Sequence, residues 1–354
     1  MDEQVVRQDA ELQKLEQQFV CVRLVQMKGA DLRLFQFDYD QSWAVLFLNA
    51  EGTIYGRYGT RAGDKKNATT HISVPSFKKA LERALELHRG YPSNKAQLAA
   101  KRGPEPRYSV AEQMPGLRDR ALGPTTPKNC IHCYMVGEEL RKLKYAEKSL
   151  VPADIWIYPL PENLGLKMDV DDGLRVEKVI SNSAALRAGL EVGDELLTMN
   201  RQPLVSQADI QWVLHHAPVE TKIAVTLRRN GQILDKTIAL SGNWKESDLS
   251  WRESSWSFRP SLWTIPLSDV EKKKRNIPLN ESGLLVKWVF GRTQLAKQAG
   301  LKDGDVIVAM DGQPVPKDES HFMAQVRLNH LPGDKVKLTL LRNGQREDVL
   351  MRVE

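Results

Sequence analysis

Cys130-Ile131-His132-Cys133 places two thiols one helical turn apart with an imidazole between them. It is followed by helix-forming sequence from about Ile131 to Glu147, and a thiolate at a helix start is favoured by the unpaired backbone N–H groups and the helix dipole. Cys130 and Cys133 are therefore a candidate redox pair, with His132 placed to stabilise the thiolate. Other readings stay open. A structural disulfide or an unreactive pair needs nothing more than the two residues. A zinc site would take Cys130, His132 and Cys133, yet no second ligand cluster stands at a suitable spacing. A c-type haem attachment requires CxxCH, and Tyr134 occupies the place of the axial histidine. No cofactor is expected, haem or zinc at these residues being the minor alternative. The third cysteine, Cys21, lies between Val20 and Val22 and reads as a small buried apolar residue.

The elements around the motif do not form an ordinary redox site. Pro124 and Pro127 precede it, and no apolar strand does. The clearest organisation lies further on, in an internal repeat. Residues 184–204 and 294–315 share Ala188-Gly189-Leu190, Gly193-Asp194 and Gln202-Pro203 with Ala299-Gly300-Leu301, Gly304-Asp305 and Gln313-Pro314, and TLRRNGQ at 226–232 recurs as TLLRNGQ at 339–345. A duplication of this spacing is a domain rather than a solenoid unit. Each copy predicts a short helix closed by Gly189 or Gly300 and a strand at Glu195 to Met199 or Val306 to Met310. A helix at about 207–216 or 318–329 follows, then a hairpin turned by Asn230-Gly231 or Asn343-Gly344.

The AGL, GD and RNGQ elements together resemble the PDZ domains that follow the protease domain in bacterial high-temperature-requirement proteases, over about 155–241 and 263–354. The resemblance implies capture of polypeptide termini or extended segments: the ligand adds a strand to a sheet edge, and N–H groups of a glycine-containing loop hold a terminal carboxylate. In the first copy Asn163, Leu164, Gly165 and Leu166 match that loop, Lys167 and Met168 the edge, and Ile210 and Leu214 the groove helix. His215 and His216 lie on the same helix and read as surface or core residues. In the second copy Asn276-Ile277-Pro278-Leu279 is taken as the equivalent loop, and proline offers no N–H. The first copy is therefore expected to be the better peptide site.

Ahead of the repeats, residues 11–88 predict a helix, a strand at Phe19 to Leu24, a hairpin of Trp43 to Leu48 and Thr53 to Tyr58 about Asn49–Gly52, and a helix at Ser76 to His88. That last helix has an apolar face of Phe77, Ala80, Leu81, Ala84, Leu85 and Leu87. The wording FVCVRL and WAVLFLNAEGTIYGRYG resembles disulfide-reductase thioredoxin-like domains, without a CxxC before Phe19 and with Ser42-Trp43 where those have a cis-proline. Such a domain followed by two PDZ copies resembles a bacterial family of thioredoxin/PDZ (seleno)proteins. It implies a Met1 that is an internal start, downstream of a cysteine or selenocysteine motif. The expected fold class is α+β and multidomain. An incomplete thioredoxin-like α/β domain (1–90) is followed by a proline-rich linker with the CxxC helix (91–154), a PDZ-like β-sandwich or barrel (155–241), a tryptophan-rich connector (242–262) and a second PDZ-like module (263–354).

Composition excludes less. The chain of 354 residues carries a net charge of +6 and is 41% apolar, enough for several packed cores. Neither nucleic acid nor a membrane span is expected, because the charge is mild and no apolar run is long enough. Lys272-Lys273-Lys274-Arg275 reads as a solvated loop, and Trp244, Trp251, Trp256 and Trp263 as packing for the connector. No GNSGG-like loop, GxSxG, HExxH or P-loop is present, so the expectation is a peptide-binding adaptor that is not a protease. The alternative is a thiol-disulfide or electron-transfer protein whose PDZ modules bring substrates to Cys130 and Cys133. No apolar leader is visible near Met1, which implies the cytoplasm if Met1 is native and the cell envelope or periplasm if an upstream signal was removed.

Overall fold

The computed structural model describes residues 9–41, 43–61, 70–122, 126, 129–252, 262–290 and 295–353. It divides into two compact units, Met1–Val136 with Trp156–Ser247, and Gly137–Ile155 with Asp248–Glu354. Ser42, Pro124, Pro127 and Trp256 lie outside the described residues.

In the first unit Asp9 caps α1 (Ala10–Glu16), its carboxylate accepting from the Glu11 and Leu12 amides. β1 (Val45–Leu48) and β2 (Ile54–Tyr58) pair antiparallel. Their turn is held by the Asn49 side chain, which accepts from the amides of Glu51 and Thr53. α2 (Val74–Arg89) opens on a Ser73/Ser76 capping box with Pro75 in its first turn. Its Phe77, Ala80, Leu81 and Ala84 bury against Phe47, Tyr55 and Tyr58, while Leu85 and Leu87 are half-buried.

The expected strand at Phe19 to Leu24 is not formed. These residues are irregular, Val20 is 93% and Val22 78% exposed, and Cys21 is exposed rather than buried. Alternating β-branched residues favour a strand only where a partner supplies hydrogen bonds and a packing surface. Here the hairpin is a two-stranded sheet. A thioredoxin-like sheet is thus not evident among the described N-terminal residues.

α3 (Cys133–Ala146) begins at Cys133, so Cys130 stands ahead of the helix instead of at its first turn. Beyond it, a 3₁₀ turn at Pro161–Leu164 leads through Gly165 into β3 (Leu166–Met168), which pairs with β4 (Val176–Val179). Then follow α4 (Ala184–Arg187), β5 (Glu195–Met199), β6 (Gln202–Pro203), α5 (Gln207–His216), β7 (Thr221–Arg229) and β8 (Gln232–Leu240). The four-stranded sheet has the order β6-β5-β7-β8, and an Arg175–Glu195 bridge links it to the β3–β4 pair.

The second unit repeats the plan. β9 (Leu262–Pro266), β10 (Leu284–Val289), α6 (Leu295–Gln298), β11 (Val306–Met310), β12 (Gln313–Pro314), α7 (Glu319–Asn329), β13 (Lys335–Arg342) and β14 (Gln345–Arg352) build one sheet, β14-β13-β11-β10-β9, with β12 on β11. From the preceding segment Tyr145 joins this core, its ring facing the Arg327 guanidinium at 5.2 Å.

An arginine explains why the repeat keeps its motifs. Arg229 forks onto Asp194 at 2.7 and 2.8 Å and donates to the Gly189 carbonyl at 2.9 Å. Arg342 does the same to Asp305 (2.8 and 2.7 Å) and Gly300 (2.7 Å). Each aspartate also accepts an amide from the turn, Glu191 or Lys302. Gly189 and Gly300 have φ of +76° and +85°, and each hairpin turn has positive φ at both Asn and Gly. The shared residues are thus a fork that ties a helix end, a turn and a hairpin together.

The connector tryptophans divide. Trp244 packs on the first module's core and donates to the Val219 carbonyl, and Trp251 is buried under the Arg252 guanidinium. Trp263, expected to pack, is 48% exposed opposite Trp288 at 57%. The basic run forms the last turn of a helix, Asp269–Lys274, where Lys272 donates to the Leu279 carbonyl.

Within the first unit the N-terminal elements are built onto α5. Every residue from Gln207 to Leu214 is buried. One side enters the module's core, and the other meets β2 and the chain near Lys101. The Lys101 ammonium lies 2.9 Å from the Asp209 carboxylate, with side chains 1% and 2% exposed. Asp209 also accepts the amides of Val205 and Arg57. The Arg57 guanidinium sits 3.5 Å over the Trp212 ring and donates to the carbonyls of Gln36 and Lys101. Burial draws its pKa down to about 10. Gly56 permits this approach, since a Cβ there would stand 2.6 Å from the Val205 Cβ and 2.8 Å from the Asp209 Oδ2.

Candidate peptide-binding site

β3 pairs with β4 alone, and backbone alternation decides which of its groups face away from that partner. The Gly165 carbonyl accepts from Ile180 N–H, and Asp169 N–H donates to the Arg175 carbonyl. Antiparallel pairing alternates, so the backbone groups of Leu166 and Met168 point away from β4. Their side chains enter the core with Leu164, Ile210 and Leu214, all five nearly or fully buried. Lys167 projects outward and pairs with Glu177 at 2.8 Å. Ile210 and Leu214 share that core and are themselves fully buried.

The loop is more closed than the resemblance implied. The amides of Asn163 and Gly165 turn back onto the carbonyls of Leu160 and Glu162, and the Asn163 side chain donates to the carbonyls of Trp244 and Glu246. The outward ladder groups of Leu166 and Met168 are what remains for a ligand strand. Gly165 has φ +88°, and a Cβ on it would fall 2.0 Å from the Ser183 Cβ. Gly165→Ala is expected to lower the unit's stability by about 1–3 kcal/mol, through positive-φ strain and overpacking; urea unfolding followed by tryptophan fluorescence checks this, and an unchanged midpoint contradicts it.

In the second module the equivalent edge is not at Asn276 to Leu279. Val176 N–H donates to the Asp194 carbonyl as Val286 N–H does to that of Asp305. Met168 faces Val176, and Thr264 faces Val286; Leu166 faces Val179, and Leu262 faces Val289. β9 is therefore the counterpart of β3, and the residues just before it, up to 261, lie outside the described residues. Asn276–Leu279 belongs to the β9–β10 connection, where Ile277 is buried. The contrast between Gly165 and Pro278 compares positions that do not correspond. Thr264 and Glu319 were missed for this reason. The Thr264 N–H points away from β10 and donates to the Glu319 carboxylate at 3.2 Å, at the start of α7. The alternation Leu262, Trp263, Thr264, with the first and third buried, was the available signal.

The remaining candidates do not converge. Cys130 and Cys133 are free thiols, and burial raises the Cys133 pKa, opposite to the activation expected at a helix start. Cys133 Sγ lies 3.5 Å from the Gln41 carbonyl, while the His132 ring stacks on Tyr134. Among the described residues no three His, Cys, Asp or Glu side chains gather as a metal-binding group, and Cys130, His132 and Cys133 do not form one. His215 stacks on Tyr158 at 4.2 Å and His216 lies tilted against Trp212 at 4.0 Å, so both pack on aromatic rings.

The family model described as the PDZ domain matches residues 163–240 and again 280–353. The chain carries two PDZ domains. Among curated proteins it is 31% identical over 150 residues to the periplasmic serine endoprotease DegP of Salmonella typhimurium, covering 42% of this chain and 29% of that protein. It is 29% identical over 151 residues to DegP of Escherichia coli K12, covering 42% and 29%. The matched stretch spans about three-tenths of these relatives' length. Among solved structures, the HtrA-type protease AlgW with tripeptide is 28% identical at a TM-score of 0.24, over 26% of this chain and 30% of that one. The serine endoprotease from Yersinia pestis is 26% identical at 0.24, over 32% and 36%. These relatives, named as serine endoproteases, run against the expectation of an adaptor that is not a protease. The chain is protease-related, through likeness to the PDZ regions of serine endoproteases. No helix of the described residues is long and apolar enough to cross a membrane.

Proposed function

We propose that this chain captures extended polypeptide segments by strand addition to the outer edges of its PDZ domains, as a protease-related protein of the cell envelope. The observation that carries the reading is the edge Leu166–Met168, whose alternate backbone groups face away from β4 while its Leu166 and Met168 side chains share a core with Ile210 and Leu214. The matching edge of the second domain, Leu262–Thr264, already gives its outward Thr264 N–H to the Glu319 carboxylate, so a ligand strand there would have to displace that contact. Relatives named as periplasmic endoproteases support the location and the link to proteolysis.

Reduced, carboxymethylated α-lactalbumin, a permanently unfolded polypeptide, is a suitable probe. Its addition in excess is expected to slow hydrogen exchange in segments containing Leu166–Met168 and Leu262–Pro266. Slowed exchange confined to other surfaces, or no slowing at saturating probe, refutes strand addition at these edges.

A further inference from the structure

The first PDZ domain keeps company with its own chain along the edge that a ligand would use. His71 Nδ1 stands 3.6 Å from the Glu162 carboxylate, in the 3₁₀ turn that leads into β3. Two residues on, the Ser73 hydroxyl donates to the Val170 carbonyl at 2.9 Å, just past the end of β3. His71 and Ile72 also line a small cavity with Ser206, Gln207 and Ala208 at the first turn of α5. His71 and Ser73 thus touch the chain just before and just after β3, and His71 and Ile72 border the start of α5.

This stretch is held from outside. It leads directly into α2, whose Lys79 and Arg83 grip Asp172 at 2.7 and 2.5 Å in the β3–β4 loop. β2, separated from it by a segment that includes residues 62–69, which lie outside the described residues, is fixed to α5 through Arg57, Asp209 and Lys101. The crossing also has holds of its own, for the Tyr58 hydroxyl donates to the Ser73 carbonyl at 2.8 Å and Ile72 packs on the N-terminal core.

We infer that His71–Ser73 is a built-in cover of the first PDZ edge, which an incoming extended segment must displace before it can pair with Leu166 and Met168. The inference rests on the reading of β3 as the ligand edge. A cover in equilibrium with an open state weakens apparent affinity in proportion to the open fraction. Only the crossing has to move, because the ionic anchors on either side stay closed.

The test replaces the contacts without weakening the helix. Ser73→Asp keeps a side-chain oxygen to cap α2, yet exchanges the hydroxyl donor for a carboxylate facing the Val170 carbonyl and the acidic loop at Asp169, Asp171 and Asp172. His71→Ala removes the other contact. In the full chain carrying both changes, exchange of the Leu166 and Met168 amides without probe is expected to quicken at least tenfold. The carboxymethylated α-lactalbumin probe is expected to bind at least tenfold more tightly than to wild type. Ser73→Thr, which retains both donor and cap, should behave as wild type. Unchanged exchange overturns the cover whatever the binding result, and so does faster exchange with unchanged affinity. Faster exchange with no binding to either protein upholds the cover and sinks the capture reading instead.

Discussion

Asp209→Ala is expected to destabilise the first unit by about 3–5 kcal/mol, the range for breaking one side of a buried ion pair. The loss is compound. The Lys101 ammonium would be left 1% exposed without its counter-charge, and the amides of Val205 and Arg57 would lose their acceptor. Burial already pushes the Lys101 pKa down against the pull of Asp209, so the orphaned amine is expected to shed its proton rather than stay charged. Lys101→Met should cost less, since Asp209 would keep its two amide donors. Urea denaturation with Trp212 as the reporter measures both. If the two variants lose equal stability, or Asp209→Ala loses under about 1 kcal/mol, the pair is not the anchor described.

Arg229→Ala and Arg342→Ala are each expected to cost their own unit about 2–4 kcal/mol, below the fully buried figure because each guanidinium is partly exposed. Each leaves a buried aspartate, Asp194 or Asp305, and an unpaired carbonyl at Gly189 or Gly300. Arg→Lys should recover little, because a single ammonium cannot fork onto a carboxylate and reach a carbonyl together. Calorimetric melting of the four variants measures this. Full recovery by lysine would show that charge alone matters.

What could be read in the sequence follows from how local its causes are. Asn-Gly hairpins, the glycines at helix ends and the amphipathic α2 rest on contacts within a few residues, and the structure forms them where expected. Phe19 to Leu24 had the propensity of a strand, but the missing ladder partner is not a local property. The second PDZ edge was misplaced because a helix, Asp269–Lys274, lengthens the β9–β10 connection, so counting to a loop of similar wording reached the wrong side of β9. At Cys130 and Cys133 the motif suggested a redox pair at a helix start; that Cys130 stands ahead of the helix and that burial raises the Cys133 pKa depend on packing that the motif does not encode. The contacts of Lys101 with Asp209 and of His71 with Glu162 join residues about 90 to 110 positions apart, and no pattern in either partner announces the other.

The burial of α5 on both sides separates two units that are usually treated as one. The stretch recognisable as the first PDZ domain, 163–240, is the unit that was duplicated. The unit that packs is larger, for it includes Gly56, Arg57 and Lys101. A fragment cut at the recognisable borders would bring the Trp212 indole and Val205 into water and leave Asp209 without its cation. Ancestry and autonomy thus have different boundaries in this chain, and the smallest piece that can be studied alone is set by α5, not by the repeat.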